Sequence, residues 1–255
     1  MRIDPVVRRV VYACTLLVAA ALPGAALGAG GDVPLMRAGN DIHNLPSLQR
    51  GARNFMNYCA GCHTAQYMRY NRIAQDLDIP EGELKANLML KGGSVHDTIR
   101  NAMKPEDGRK WFGNAPPDLS LIARSRGPDY LYTFLMSYYA DPSRPHGVDN
   151  RVLPGTAMPH VLAHLQGVQN AVYRTESSPD GSAIKEFERF EAGVPGSLTP
   201  AQYEEFVRDT VNFLEYVGEP IQAKRQKLGI WVILFLLVFT TFAYFLKREY
   251  WRDVK

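Results

Sequence analysis

Cysteine is scarce in this 255-residue chain: there are three, and Cys14 lies within the first fourteen residues. The remaining pair, Cys59 and Cys62, is too small a set for the disulfide framework of a small secreted domain. It is also short of a zinc site, which would want two more thiolates or imidazoles at a compatible spacing. No phosphate-cradling glycine loop is present, and no Ser-His-Asp or paired-carboxylate spacing argues for a hydrolase. Strand-like alternation is rare and no internal repeat is visible, so the class is mainly α. Glu186, Glu188, Glu191, Glu204 and Glu205 read as solvated faces, or as a field that steers a basic partner.

The two ends of the chain are apolar in different ways. "MRIDPVVRRVVYACTLLVAAALPGAALGAGG" has a basic start (Arg2, Arg8, Arg9), an apolar run from Val10 to Leu22 and small residues suited to cleavage near Gly28 or Ala29. That is the layout of a secretory signal peptide, with Cys14 part of the discarded piece. The C-terminal run "LGIWVILFLLVFTTFAYFL", Leu228 to Leu246, carries no charge. At 1.5 Å per residue it makes roughly 28 Å of helix, enough for a hydrocarbon core of about 30 Å. Lys224, Arg225 and Lys227 precede it, and Lys247, Arg248 and Arg252 follow, so flanking charge alone does not orient it. An exported N-terminus does, and leaves the tail from Lys247 in the cytoplasm.

The formal charge of +3 belongs to these ends. Residues 29–223 hold 19 Lys and Arg against 23 Asp and Glu, a net of −4. The body is mildly acidic, which disfavours nucleic acid and suits a basic soluble protein as partner.

Export places Cys59 and Cys62 in an oxidising compartment, where a disulfide or a redox pair are the ordinary readings. His63 decides for another reading. Cys-x-x-Cys-His is the attachment signature of c-type haem, with both sulfurs as thioethers and the imidazole on the iron. Leu48, Ala52, Phe55 and Cys59 fall on one helical face, so the spacing predicts a helix that delivers the first cysteine to the core. For the other face of the iron the candidates are methionines and histidines. Met89 and Met136 sit in apolar helical patterns as core filling, and Met56 and Met68 lie too close to the motif. Met103 is a fair rival. Met158, in "RVLPGTAMPHVLAHL", has the better context: Pro154, Gly155 and Pro159 make a rigid, non-helical approach. His160 and His164 are expected to decorate the helix after it.

Further helices are expected in "PEGELKANLMLKGG", in "SVHDTIRNAM" with Ser94 as cap, and in "GPDYLYTFLMSYYADP". Another is expected in "SLTPAQYEEFVRDTVNFLEYVGEP", with Thr199 as cap and Pro200 in the first turn. This last would present Phe206, Thr210, Phe213, Leu214 and Val217 to the motif-bearing helix. The polar stretch from 166 to 193 has room for a small hairpin.

The stretches "NYCAGCHTAQYMRYNR", "WFGNAPPDLSLIARSRGPDYLYTFLMSYY", "LPGTAMPHVLAHLQG" and the segment from Phe206 to Lys255 occur in the order found in one family. The chain resembles cytochrome c1, the haem subunit of the quinol–cytochrome c oxidoreductase (cytochrome bc1) complex, in its bacterial form. "APPDLS" followed by "IARSR" is far more specific than the haem motif. The resemblance implies that Pro116 and Pro117 line the haem pocket, that Arg126 pairs with a haem propionate and that Tyr130 lies near it. It also implies cytochrome b and a Rieske iron–sulfur protein as partners, and a soluble or membrane-tethered cytochrome c as acceptor.

The expectation is therefore a class I cytochrome c-like domain with long loop insertions and one C-terminal transmembrane helix. Its divisions are a signal peptide (1–28), a periplasmic haem domain (29–223), a juxtamembrane segment and membrane helix (224–246) and a cytoplasmic tail (247–255). It would carry one covalent haem c, held by Cys59, Cys62, His63 and Met158, and sit in the bacterial inner membrane in contact with lipid. As an electron-transfer subunit it would have no substrate chemistry of its own. The alternatives are a single-haem subunit of a terminal oxidase, or a haem peroxidase or gas sensor with a labile sixth ligand.

Overall fold

The computed structural model describes residues 33–101, 103–177 and 183–253. The leader expected over 1–28, with its cleavage region and Cys14, lies outside the described residues. The order is α1 (Leu45–Asn54), a π-helical turn (Phe55–Cys59), β1 (Ala65–Arg69), α2 (Tyr70–Asp76) and α3 (Glu81–Asn87). Then come β2 (Thr98–Ile99), α4 (Pro105–Phe112), α5 (Ile122–Arg126), α6 (Pro128–Met136), β3 (Tyr138–Ala140) and β4 (Val148–Asn150). The chain continues through α7 (Ala163–Gln166), β5 (Gly167–Ser177), β6 (Ala183–Pro195), α8 (Pro200–Gly218) and α9 (Gln222–Tyr250). Helices dominate, as expected. The strands form antiparallel pairs, β1 with β2, β3 with β4 and β5 with β6.

The core forms where α1 crosses α8. Asn44 caps α1 by accepting from the Ser47 amide, and Thr199 and Gln202 make a reciprocal capping box at the start of α8. The expected face of α8 is the one that packs: Thr210, Phe213, Leu214 and Val217 are buried and Phe206 partly so, with Val207 and Val211 added. Phe55 meets Phe213 with ring centroids 5.7 Å apart. Each such fully buried side chain contributes about 1.5–3 kcal/mol. Gly51 sets the closeness of the crossing, because a Cβ there would stand 2.1 Å from the Asp209 carbonyl oxygen.

A polar seam runs beside this contact. The Asp209 carboxylate accepts from the Ser47 hydroxyl (2.6 Å) and from Arg50 Nε (2.5 Å), and Asn212 Nδ2 donates to Ser47 Oγ (2.9 Å). These buried groups are satisfied, so they fix the register of the two helices without an unpaired penalty.

Several local expectations change. The helix expected in "GPDYLYTFLMSYYADP" ends at Met136, after which Tyr138–Ala140 form β3. "SVHDTIRNAM" is not a helix. Ser94 does start a turn, donating its amide to Asp97 Oδ2 (2.9 Å), but the carbonyls of Val95 and Asp97 accept from Asn71 and Tyr70, and Ile99 pairs with Ala65. Pairing with the segment after the cysteines outweighs the local cap. The helix from Pro80 stops at Asn87, short of Gly92–Gly93. The hairpin is long rather than small, with β5 of 11 and β6 of 13 residues. A helix not anticipated, α4, carries ordinary signals: Pro105 in its first turn, Glu106 and Asp107 there, Arg109 and Lys110 in its last.

Helix α9 is 29 residues long, its most apolar 18-residue stretch has a mean hydropathy of 2.3, and none of its residues is buried in the rest of the protein. By length and composition it can cross a membrane. Its first turn touches the head through Lys224–Asp76 (3.7 Å), Arg225–Glu219 (2.7 Å) and Gln226–His43 (3.1 Å).

Candidate haem site

Helix α1 loosens into the π-helical turn at Phe55–Cys59, and the chain then folds back sharply. The Cys59 carbonyl accepts from both Cys62 N (3.1 Å) and His63 N (2.8 Å), and the Asn101 side chain donates to the Cys62 carbonyl. Both thiols are free and half-buried. Burial, and next to it Cys62, pushes the Cys59 thiol up to about 12. Cys59 is therefore not poised as a low-pKa nucleophile.

His63 is buried, and its Nδ1 lies 2.8 Å from the Pro117 carbonyl oxygen. A carbonyl only accepts, so Nδ1 carries the proton and Nε2 keeps its lone pair. Burial holds the imidazole below its ordinary value, against the Pro117 bond and the Asp118 charge, which work the other way. A neutral ring with one nitrogen tied back is the state a metal-binding histidine requires.

What places the Pro117 carbonyl is a brace between residues 63–67 and 117–120. Asp118 accepts from Thr64 Oγ1 (2.5 Å), Gln66 N (2.9 Å) and Ser120 N (2.9 Å). Leu119 N donates to the Thr64 carbonyl (2.8 Å), and Tyr67 N to Ser120 Oγ (3.1 Å). Burial works against the Asp118 charge, but these bonds outweigh it and hold the carboxyl below its usual range. Sequence reasoning singled out Pro116 and Pro117 but passed over Asp118, which holds them in place. Pro116 and the Met103 sulfur both lie against Gly108.

Arg126 is exposed at the end of α5, with its guanidinium 5.3 Å from the centre of the buried Tyr130 ring. Arg124, its neighbour, points elsewhere: it packs on Gly218 and reaches Glu219 at 4.0 Å. The structure thus separates the two arginines and brings Arg126 and Tyr130 together.

Met158 stands in a non-helical loop, half-buried and outside the apolar core, whereas Met56, Met68 and Met89 are core residues. The loop is held at its root by buried Asp149 and Asn150. Asp149 Oδ1 accepts from Gly155 N (2.7 Å), and its other oxygen binds Arg144 (2.6 Å). Asn150 Oδ1 accepts from Val152 N (2.9 Å) and Leu153 N (3.2 Å). Gly155 turns the loop at φ +74°, a conformation other residues rarely adopt. The Tyr138 hydroxyl donates to the Met158 carbonyl (3.1 Å).

His160 is not on a helix. Its ring lies parallel to Tyr138, and burial lowers its pKa to about 4. His164 is on α7 and stacks on Tyr58 at 5.5 Å, which joins the Met158 side to the residue before Cys59.

The donor set matches a c-type haem: two free thiols at the required spacing, a neutral imidazole with Nε2 available, and a thioether in a braced loop. Fold and site together define a c-type cytochrome whose head continues into an apolar C-terminal helix. The family model for the Cytochrome C1 family matches residues 39–173 and 196–254. The chain is 48% identical over 248 residues to the cytochrome c1 of Allochromatium vinosum, covering 97% of this chain and 99% of that one. It is 41% identical over 232 residues to the ammonia monooxygenase gamma subunit of Nitrosomonas europaea, covering 91% and 94%. Similarity to the cytochrome c1 of Rhodospirillum rubrum is 28% over 241 residues, 84% of each chain.

The chain belongs to the cytochrome c1 family, whose members carry covalently bound haem c and work in electron transport. Its bacterial relatives and α9 fit a membrane-anchored protein.

Proposed function

We propose that this chain passes single electrons from a Rieske iron–sulfur protein to a soluble or membrane-tethered cytochrome c, as the haem subunit of a quinol–cytochrome c oxidoreductase complex with cytochrome b. A signal peptide over 1–28 exports residues 29–223 to the periplasm, α9 anchors them in the inner membrane, and residues 247–255 stay in the cytoplasm. When bound, the haem supplies a one-electron iron couple, which a His/Met pair sets at a higher potential than two histidines would.

The chain's own residues divide the remaining work. Cys59 and Cys62 tether the porphyrin, and His63 and Met158 ligate the iron. Pro117 orients His63 through its carbonyl, and with Pro116 forms a wall with few donors that keeps water away. Arg126, which has no carboxylate partner among the described residues, offsets a propionate, with Tyr130 beneath its guanidinium. Met103 is the weaker candidate for the sixth position, because its sulfur lies against Gly108, as does Pro116, the neighbour of the residue that holds His63. No substrate bond is broken by this chain.

The observation that carries the reading is the tight Cys59–His63 turn with His63 Nδ1 held on the Pro117 carbonyl. A second reading is favoured by the Nitrosomonas relative, whose name is that of a monooxygenase subunit. In that case the same haem head would serve an oxygen-using membrane enzyme. Detergent extraction and identification of the co-purifying chains decides. A cytochrome b with an iron–sulfur protein supports the first reading. Oxygenase or copper-containing oxidase subunits overturn it.

A further inference from the structure

Pro159 is flanked by two potential iron ligands, Met158 and His160, and one side chain touches both. The Tyr138 hydroxyl donates to the Met158 carbonyl at 3.1 Å. Its ring lies parallel to the His160 ring, with centroids 4.7 Å apart and planes 3° from parallel. Tyr138 is itself immobilised. It is 1% exposed, pairs with Asn150 across the β3–β4 ladder, packs against Phe134 and accepts from Gln169 Nε2 (2.7 Å) at its carbonyl.

The His160 Nε2 is buried and has no hydrogen-bond partner among the described residues. An imidazole in that condition competes for ferric iron, because a thioether favours the ferrous state and binds the ferric state weakly. Something must restrain it. The stack on Tyr138 orients the plane of its ring, with the Gln166 side chain beside it.

We propose that Tyr138 is a positioning residue that selects the sixth ligand: it holds residues 158–160 so that the Met158 thioether is presented to the iron and the His160 imidazole is kept off it. This rests on the His63/Met158 reading above. The phenol is suited to both tasks, since the ring supplies the stack and the hydroxyl supplies the bond. A phenylalanine would perform only the first.

The test compares full-length Tyr138→Phe, Tyr138→Leu, Tyr138→Leu with His160→Gln, and Met158→Leu. Each is read by covalent haem content, reduction potential, the weak red-region absorption of a ferric thioether–iron bond, and the low-spin electron paramagnetic resonance signal. Tyr138→Phe is expected to lose part of the red-region band and to lower the potential. Tyr138→Leu is expected to lose the band, gain a bis-imidazole signal and keep its haem, and adding His160→Gln is expected to remove that signal.

A Tyr138→Phe protein identical to the parent in band and potential overturns the proposal, whether or not the leucine variant accumulates. So does a bis-imidazole signal that survives His160→Gln. Met158→Leu separates the two levels. An unchanged spectrum there overturns the Met158 reading itself, whereas loss of the band there with parental behaviour in both Tyr138 variants overturns only this proposal.

Discussion

The His63 ring is set by a backbone carbonyl 54 residues further along the chain, and Met158 by side chains from β3 and β4. His63 and Met158 could be proposed from the sequence by motif and context, whereas the Pro117 carbonyl and Tyr138 that support them lie far along the chain from the residues they hold. Cys-x-x-Cys-His announces itself by spacing, and Met158 by the prolines around it. Asp118 and Tyr138 act only once segments far apart in the chain are adjacent, whereas Asp149 and Asn150 hold the Met158 loop by bonds to residues two to six positions away. Met158→Leu is expected to lower the reduction potential sharply while leaving haem attachment intact, as measured by redox titration. An unchanged potential would move the assignment to Met103.

Tyr216 offers a pH test at the same scale. Burial, then the Asp76 charge, raise its pKa above the ordinary value, and its hydroxyl bonds Asp76 at 3.1 Å. A raised folded value means that the unfolded chain ionises first, so stability is intact below about pH 10 and falls as pH rises above it. Tyr216→Phe should cost about 1 kcal/mol near neutrality for the lost bond. It should also flatten the alkaline decline in urea-unfolding midpoints. An equally steep decline in the variant would contradict the assignment.

Among the elements, the α1–α8 crossing has the least tolerance. Gly51→Ala forces a methyl into the Asp209 carbonyl and the Phe213 Cβ, both closer than any real contact. Overpacking of this kind costs about 1–3 kcal/mol. The expected result is a lower thermal midpoint, of similar size in the oxidised and reduced protein. A melting curve that matches the parent would show that the helices can move apart freely. Helix α8 was readable in advance because its cap, its proline and its apolar face all point the same way. The segment 94–103 was misread because its cap is real but its backbone bonds go to Tyr70 and Asn71. The length of the β5–β6 hairpin was not legible because its strands are polar. Its aromatic residues pack with one another and with Tyr139 and Arg151 instead of forming a core stripe. The family match skips 174–195, which takes in the end of β5 and all of β6.

For the molecule as a whole, the head and the membrane helix are joined by few bonds. Lys224–Asp76 and Arg225–Glu219 are exposed pairs on the lysine and arginine side, and such pairs contribute about 0–1 kcal/mol each. The core of the head, by contrast, takes nothing from α9, which buries no residue. A chain ending at residue 221 is therefore expected to yield a water-soluble haem domain with the visible spectrum of the full protein. An insoluble or haem-free product would show that the anchor is part of the head's fold. The end of α8 and the separate apolar helix after it were readable from Gly218, Pro220 and the uncharged run that follows. How the head sits on the anchor was not, because it depends on single contacts such as His43 with Gln226.

The central claim is a covalent haem closed on both faces by protein ligands. Its most direct test is the visible spectrum of the reduced, purified protein before and after carbon monoxide. The account predicts sharp c-type bands that survive denaturing acid–acetone extraction and hardly change with the gas. Absence of those bands, or a prompt shift on adding carbon monoxide, would contradict it.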